Sequence, residues 1–365
     1  MNVKELEKVD TSVFGQVSQM GHEQVVFCND GATGLKAIIG IHNTILGPAL
    51  GGTRMWNYAS DAEAITDVLR LSRGMTYKAA ITGLNLGGGK AVIIGDATVQ
   101  KTEAFLRRFG KFIDSLGGKY WTAEDVNMKT SDMQYIAMET QFVTGLPENM
   151  GGGGDPSPVT AYGTYLGMKA AAKKVFGSDD LEGKKVGVQG VGQVGMYLVE
   201  HLAKEGAKVF ITDISEVKLK KVAASSGASV IGMEDIYDLE MDIYAPCALG
   251  ATLNDDTIPR LKCQIVAGAA NNQLAEEKRH GYMLVDRNIT YAPDFLINAG
   301  GLINVYEEYK GAYSRERTYA TVEKIYDTCL QILNFSEEEG ISTHKAAIQI
   351  AESRIKAIGE IKLPA

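Results

Sequence analysis

"LEGKKVGVQGVGQVGMYLVEHLAKEGAKVFITDIS", Leu181 to Ser215, is the stretch whose order of elements decides the fold. Lys185–Gln189 is a short apolar run of strand type, Gly190, Gly192 and Gly195 turn it, a helix runs to about Lys204, and Lys208–Thr212 is a second strand that ends at Asp213. A Gly-x-Gly-x-x-Gly string by itself says little. Here it follows a strand, opens a helix and is followed roughly 20 residues on by an acid, which is the context of a dinucleotide-binding turn. The first two glycines allow a tight turn and close approach to a pyrophosphate, the third lets helix pack on strand, and the helix N-terminus faces the anion. Gly190, Val191, Gly192, Gln193, Val194 and Gly195 are therefore the expected phosphate loop. Asp213 would bond the ribose diol; a carboxylate repels a 2′-phosphate, and "ISEVK" after it offers no arginine, which favours NAD over NADP. The competing reading is a glycine turn that only packs.

Outward from this unit, "MDIYAPCALG" and "CQIVAGAANNQL" read as further strands ending in small residues and amides. In a doubly wound sheet ligands lie beyond the C-terminal strand ends, so Ala245, Pro246, Ala269 and Asn271 are expected near a nicotinamide. Upstream, "TAYGTYLGMKAAAKKVFG" is helical, with Gly177 as its stop, and "GGGGDPSP", Gly151 to Pro158, breaks any regular element and is the hinge candidate. The region before the hinge mixes strands ("HEQVVFCND", "GLKAIIGIH") with a helix in "DAEAITDVLRLSRGMTYKAA", where Ala64, Val68, Leu71 and Met75 hold helical spacing.

The bulk numbers agree with two domains. The chain has 365 residues, 45% hydrophobic and 22% charged, enough for a sizeable core. A net charge of −8 and the lack of a basic run argue against nucleic acid, and no apolar run reaches bilayer length. "MNVKELEKVDTSVFGQ" has no apolar signal core, so a cytoplasmic protein is expected. Cys28, Cys247, Cys263 and Cys329 stand singly and read as reduced core residues; His22, His42, His201, His280 and His344 form no metal-type spacing, so no metal is expected.

"GMTYKAAITGLNLGGGKAVIIGD", Gly74 to Asp96, places Lys78 and Lys90 among small and apolar residues. Three glycines before Lys90 weaken any ordinary strand, but they let a substrate or another backbone come close. A lysine desolvated beside a second cation becomes a usable general base, while its charged neighbour holds a carboxylate. Domains closing about the hinge would bring both to one cleft. "YWTAEDVN" puts Glu124 and Asp125 at an expected strand end, where one carboxylate could orient an amine and exchange protons with it. The plainer alternative is two surface lysines and two solvated acids.

The strings "ILGPALGGTRMW", "GMTYK", "LNLGGGK", "TAEDV", "DPSPVTAYG", "YAPCALGA", "ANNQL" and "INAGG" occur in that order. Over about His22 to Glu352 the sequence resembles the glutamate, leucine, phenylalanine and valine dehydrogenase superfamily, and within it the leucine dehydrogenases. The resemblance implies reversible, NAD-dependent oxidative deamination of an L-amino acid to a 2-oxo acid and ammonia. It implies Lys90 as catalytic lysine, Asp125 as catalytic aspartate, and Lys78 as the carboxylate-binding lysine, helped by the backbone near Gly51 and by Asn271 or Asn272. It also implies an N-terminal α/β substrate and oligomerisation domain (1–150 with 332–365) and a Rossmann-type NAD-binding domain (151–331), with the catalytic cleft between them.

Leu50 stands where glutamate enzymes of the family carry a lysine, and with Met75, Leu302 and Val305 it would make an apolar side-chain pocket; core packing is the other reading for all four. Ala123-Glu124 in place of the Gly-Thr of phenylalanine dehydrogenases favours branched aliphatic substrates. Relatives are octamers, so a homo-oligomer is expected, although the chain ends early at "EIKLPA" and has Asn127 where relatives commonly have glycine. The alternatives are a dehydrogenase of aromatic amino acids and a catalytically silent NAD-binding regulator.

Overall fold

The computed structural model describes residues 12–361; most of the N-terminal lead and the "KLPA" end lie outside the described residues. The chain divides into two compact units. The first holds the chain up to Met150, apart from Ile81–Leu84, and takes the chain back from Ile358; the second holds Ile81–Leu84 and Gly151–Ala357.

In the first unit α1 (Val13–Met20) precedes β1 (Gln24–Asp30) and β2 (Leu35–Asn43), two strands where the apolar runs put them, which pair antiparallel. β3 (Ala49–Leu50) and β4 (Thr53–Trp56) follow, then α2 (Asp61–Ile81). α2 starts where Ser60 accepts the Glu63 N–H while the Glu63 carboxylate accepts the Ala59 N–H, a reciprocal cap. β5 (Gly87–Ile94) is central: antiparallel to β2, parallel to β3 and β4, with β6 (Tyr120–Trp121) beyond β3. One face of this sheet packs on α3 (Glu103–Asp114) and α4 (Thr130–Ala137) through Ile39, Met55, Phe109 and Ile136; the other packs on α2 through Ile38, Val68, Leu69 and Val92.

The second unit opens with α5 (Ser157–Phe176), closed by Gly177 at φ 77° as its sequence position predicts. β7 (Lys185–Gln189), α6 (Gln193–Lys204) and β8 (Lys208–Thr212) form the expected βαβ unit. α7 (Glu216–Ser226) and β9 (Ser229–Val230) continue outward; β10 (Ile243–Pro246), β11 (Ile265–Val266), α8 (Glu277–Asp286) and β12 (Thr290–Tyr291) build the other half. The strand order is β12-β11-β10-β7-β8-β9, all parallel. The order therefore reverses between β7 and β10, the switch point of a doubly wound sheet. α9 (Asp294–Ile297), α10 (Gly300–Tyr309), α11 (Arg315–Glu339) and α12 (Thr343–Ile361) close the unit.

A return to the first unit near Ile332 is not what the packing gives. α11 lies on α5, where Ile325 and Val322 fill the space left by Gly163 and the Cys329 thiol meets the Gly167 carbonyl, so the chain stays with the second unit as far as Ala357.

Candidate active site

The "GGGK" stretch is not a loop. Gly87–Gly89 and Lys90 are inside β5, and the glycines answer to packing. A Cβ at Gly87 would lie 2.0 Å from the Asn43 carbonyl oxygen, at Gly88 2.1 Å from Thr76 Oγ1 and 2.2 Å from its amide nitrogen, and at Gly89 2.7 Å from the Tyr120 ring. The close approach foreseen for a substrate or a backbone is made here by α2, the 43–47 turn and β6. Gly51 obeys the same rule, since its Cβ would fall 1.7 Å from the Gly89 carbonyl oxygen. Its N–H goes to Trp121 O and its carbonyl accepts the Tyr120 hydroxyl at 2.7 Å, so its main chain is engaged within the protein.

Lys90 leaves the middle of β5 and is buried, 6% exposed. Its Nζ lies 2.7 Å from Asp125 Oδ2. Asp125 reaches it because the 122–126 segment follows β6 and lies against Gly52, where a Cβ would come within 2.4 Å of the Glu124 carbonyl oxygen and 2.9 Å of the Asp125 Cβ. Glu124 is exposed, which separates the roles of the two adjacent acids. Asn127 has φ 61°, a left-handed conformation asparagine tolerates, and its amide donates to the Met55 carbonyl at 3.0 Å.

Three further residues complete this cluster, and sequence reading gave them no role. Arg54 Nε lies 3.1 Å from the same Asp125 Oδ2, and Arg54 Nη1 lies 3.1 Å from Asp67 Oδ2, which also accepts the Tyr58 hydroxyl at 2.6 Å. Arg54 sits inside "GGTRMW", but nothing in that string points to Asp67 on α2 or to Asp125. Burial disfavours the ionised form of Asp125, but Lys90 and Arg54 outweigh it and hold the carboxyl below its ordinary value. Burial, then the bond to Asp67, pushes the Tyr58 hydroxyl well up, so it stays a donor.

Lys78 stands in the last turn of α2, half-buried. Met75, one turn earlier, packs at Gly51, and Leu50 and Ala123 are buried at 1% and 7% exposure. In the second unit, Leu302 is buried and Val305 half-buried on α10.

At the glycine turn Gly190 has φ 98°, and a Cβ at Gly195 would lie 2.1 Å from the Gly190 carbonyl oxygen, whereas one at Gly192 would meet nothing within 4 Å. Gly192 caps α6 without a side-chain bond, leaving the first-turn N–H groups of Gln193 and Val194 for an anion. Asp213 Oδ2 accepts the Val191 N–H at 2.8 Å and Oδ1 the Ser215 N–H at 2.8 Å, which fixes the carboxylate beside the turn. Val191 thus serves Asp213. Open space at Gly192, an uncapped helix start and an oriented acid fit a dinucleotide. Ala245 has no exposed surface; the first exposed residues beyond β10 are Ala248 and Leu249. Asn271 is exposed, and its Oδ1 accepts the Asn298 amide at 2.8 Å.

Two family models cover most of the sequence: "Glu/Leu/Phe/Val dehydrogenase, dimerisation domain" over residues 22–142, and "Glutamate/Leucine/Phenylalanine/Valine dehydrogenase" over 151–218 and 210–360. The chain belongs to the Glu/Leu/Phe/Val dehydrogenase family. Its relatives in the family include leucine dehydrogenase of Thermoactinomyces intermedius, 56% identical with 94% of this chain and 93% of that protein covered. Leucine dehydrogenase of Bacillus cereus is 54% identical, with 95% and 94% covered. The crystal structure of L-tryptophan dehydrogenase from Nostoc punctiforme superposes with a TM-score of 0.85 at 46% identity, covering 96% of this chain and all of that one. The protein is thus an amino acid dehydrogenase, and among the described residues no helix is long and apolar enough to cross a membrane.

Proposed function

We propose that the chain catalyses the reversible NAD-dependent oxidative deamination of branched aliphatic L-amino acids, leucine first with isoleucine and valine, to the 2-oxo acid and ammonia. The observation that carries the chemistry is the buried Lys90 ammonium 2.7 Å from an ionised Asp125. The substrate class rests on the leucine dehydrogenase relatives and on the apolar Leu50, Met75, Ala123, Leu302 and Val305.

NAD⁺ supplies the acceptor for the hydride that leaves the substrate Cα. Gly190, Gly192, Gln193, Val194 and Gly195 would cradle its pyrophosphate, with Val191 holding Asp213 toward the ribose and Asn271 donating near the nicotinamide end. Lys78 binds the substrate carboxylate as a cation. The amine is neutral when the hydride leaves, so the product is an iminium carrying the positive charge. Lys90 Nζ, having lost its proton, takes one from the water that attacks the iminium carbon, and a carbinolamine forms. Asp125, which took a proton from the substrate ammonium as the neutral amine formed, returns it to the carbinolamine nitrogen; the hydroxyl proton passes to solvent as the carbonyl forms, and the C–N bond breaks with its electron pair leaving on ammonia. One water is consumed and two electrons leave with the hydride.

The proposal includes a cytoplasmic homo-oligomer, octameric by family resemblance; free, buried Cys28, Cys263 and Cys329 suit a reducing compartment. An aromatic preference is the second reading, because the Nostoc tryptophan enzyme shares this fold so closely. One apolar methylene discriminates by only about 1–3 kcal/mol, so several branched substrates turn over. The test is NADH formation from NAD⁺ with L-leucine, isoleucine, valine, phenylalanine, tryptophan and glutamate at alkaline pH. Fastest turnover with leucine is the expected result. An aromatic preference would replace the substrate assignment, and NADH binding without turnover would make the protein a silent regulator.

A further inference from the structure

Asp125 is shared. Its Oδ2 receives Lys90 Nζ at 2.7 Å and Arg54 Nε at 3.1 Å, while Arg54 is anchored from behind by Asp67, itself bonded to Tyr58. Arg54 lies on β4 beside β5; Met55, next along the strand, enters the α3 and α4 core on the opposite face, which turns Arg54 toward α2 and Asp67. The cluster alternates in sign from Lys90 to Asp125 to Arg54 to Asp67, two cations against two carboxylates.

A base at Lys90 has to be neutral when it takes a proton from water. A carboxylate paired with Lys90 alone would then be left half-buried without a partner, an arrangement that holds the lysine in its charged form. Arginine stays charged throughout the working pH range and offers several donors from one planar group. We propose that Arg54 is a positioning residue of this pair: it keeps Asp125 in place and compensated while Lys90 gives up its proton, with Asp67 and Tyr58 as its anchor. The inference rests on the deamination reading for the role of Lys90 as a base; the labelling readout below does not depend on it.

The titratable groups that act on Asp125 are Lys90 from β5, Arg54 from β4, Tyr58 from the segment before α2 and Tyr120 from β6, with Asp67 of α2 acting through Arg54. Lys78 belongs to the same α2 and is left unchanged in every variant. Removing the Arg54 cation leaves Asp125 to Lys90, whose proton is then held more firmly. Removing the Asp67 anion has the opposite sign.

The variants are Arg54→Gln, Arg54→Lys and Asp67→Asn, each read in two ways. One is the pH profile of kcat/KM for L-leucine oxidation. The other, in the cofactor-free protein, is the pH dependence of Lys90 labelling by a small acylating reagent, resolved by peptide mass. In Arg54→Gln the ascending limb and the labelling midpoint move up by about one pH unit. In Asp67→Asn both move down, and in Arg54→Lys both return toward the parent values. Limbs and midpoints that stay in place while only the melting temperature falls would make Arg54 a structural tie and overturn the inference, as would shifts of the same sign in Arg54→Gln and Asp67→Asn. If Arg54→Gln does not fold, Asp67→Asn and Arg54→Lys, which both keep a cation at position 54, decide it. Labelling needs no turnover, so a protein inactive on every amino acid would sink the deamination reading while the midpoints still judge Arg54.

Discussion

At the scale of single residues, the proposed roles separate groups that touch the reaction from groups that hold them. Lys90 is buried but its partner Asp125 keeps Arg54, so Lys90→Ala leaves no carboxylate without a cation. The expected result is a folded protein with NADH binding retained, measured by fluorescence titration, and turnover reduced about 100-fold to 10,000-fold. Lost folding would instead assign the lysine to structure. Asp213 makes a second residue-scale case. Its carboxylate is fixed by the Val191 and Ser215 amides, and Asp213→Ala should raise the ratio of NADP⁺ to NAD⁺ use by removing the repulsion toward a 2′-phosphate. An unchanged ratio would mean that the acid does not face the ribose.

Elements decide what each glycine is for. α2 lies so close on β5 that Gly88→Ala drives a methyl into the Thr76 amide and hydroxyl; a loss of about 3 kcal/mol or more in chemical denaturation is expected, since backbone cannot give way cheaply. Gly192→Ala meets nothing, so stability should hold while NADH affinity falls about tenfold or more from crowding at the helix start. The glycines before Lys90 and the glycine at the α6 cap look alike in sequence, and only their neighbours tell them apart.

α2 also binds two buried histidines: His22 Nε2 lies 2.8 Å from Ser72 Oγ and His42 Nδ1 2.8 Å from Thr76 Oγ1, with the rings 4.7 Å apart. Burial, with the neighbouring His42 and Arg73, lowers His22 from 6.5 to about 4; burial and Arg73 do the same to His42. Between those pH values the unfolded chain binds more protons than the folded one. Stability is therefore full above pH 6.5 and is lost as the pH falls toward about 4. Melting temperature against pH checks this, and His42→Gln should flatten the acid side of the curve.

Across the whole molecule, β1 is an edge of the first sheet and exposes Phe27, 57% accessible, within the region matched by the dimerisation-domain model. Long apolar edges invite pairing. If the proposed homo-oligomer covers this edge, Phe27→Glu should shift the mass seen by light scattering to smaller species; an unchanged mass would put the contact elsewhere. Much of the architecture was legible beforehand, because it is encoded locally. β-Branched apolar runs give β1 and β2, and the turn at Gly190 to Gly195 with Asp213 at the next strand end gives the doubly wound half of the fold. Gly177 is a helix stop whatever surrounds it. Residue type and setting drew attention to Lys78, Lys90, Glu124 and Asp125, but which lysine and which acid would react was implied only by the family resemblance. The sharing of Asp125 could not be read at all, because Arg54 lies 71 residues from it and 13 from Asp67. The packing purpose of Gly87 to Gly89, the engagement of the Gly51 main chain and the return of the chain only at Ile358 are likewise decided by tertiary contacts. The chain order fixes which residues can turn, pair and carry charge nearby; which distant side chains share one oxygen, or which methyl has no room, is settled only when helix and sheet meet.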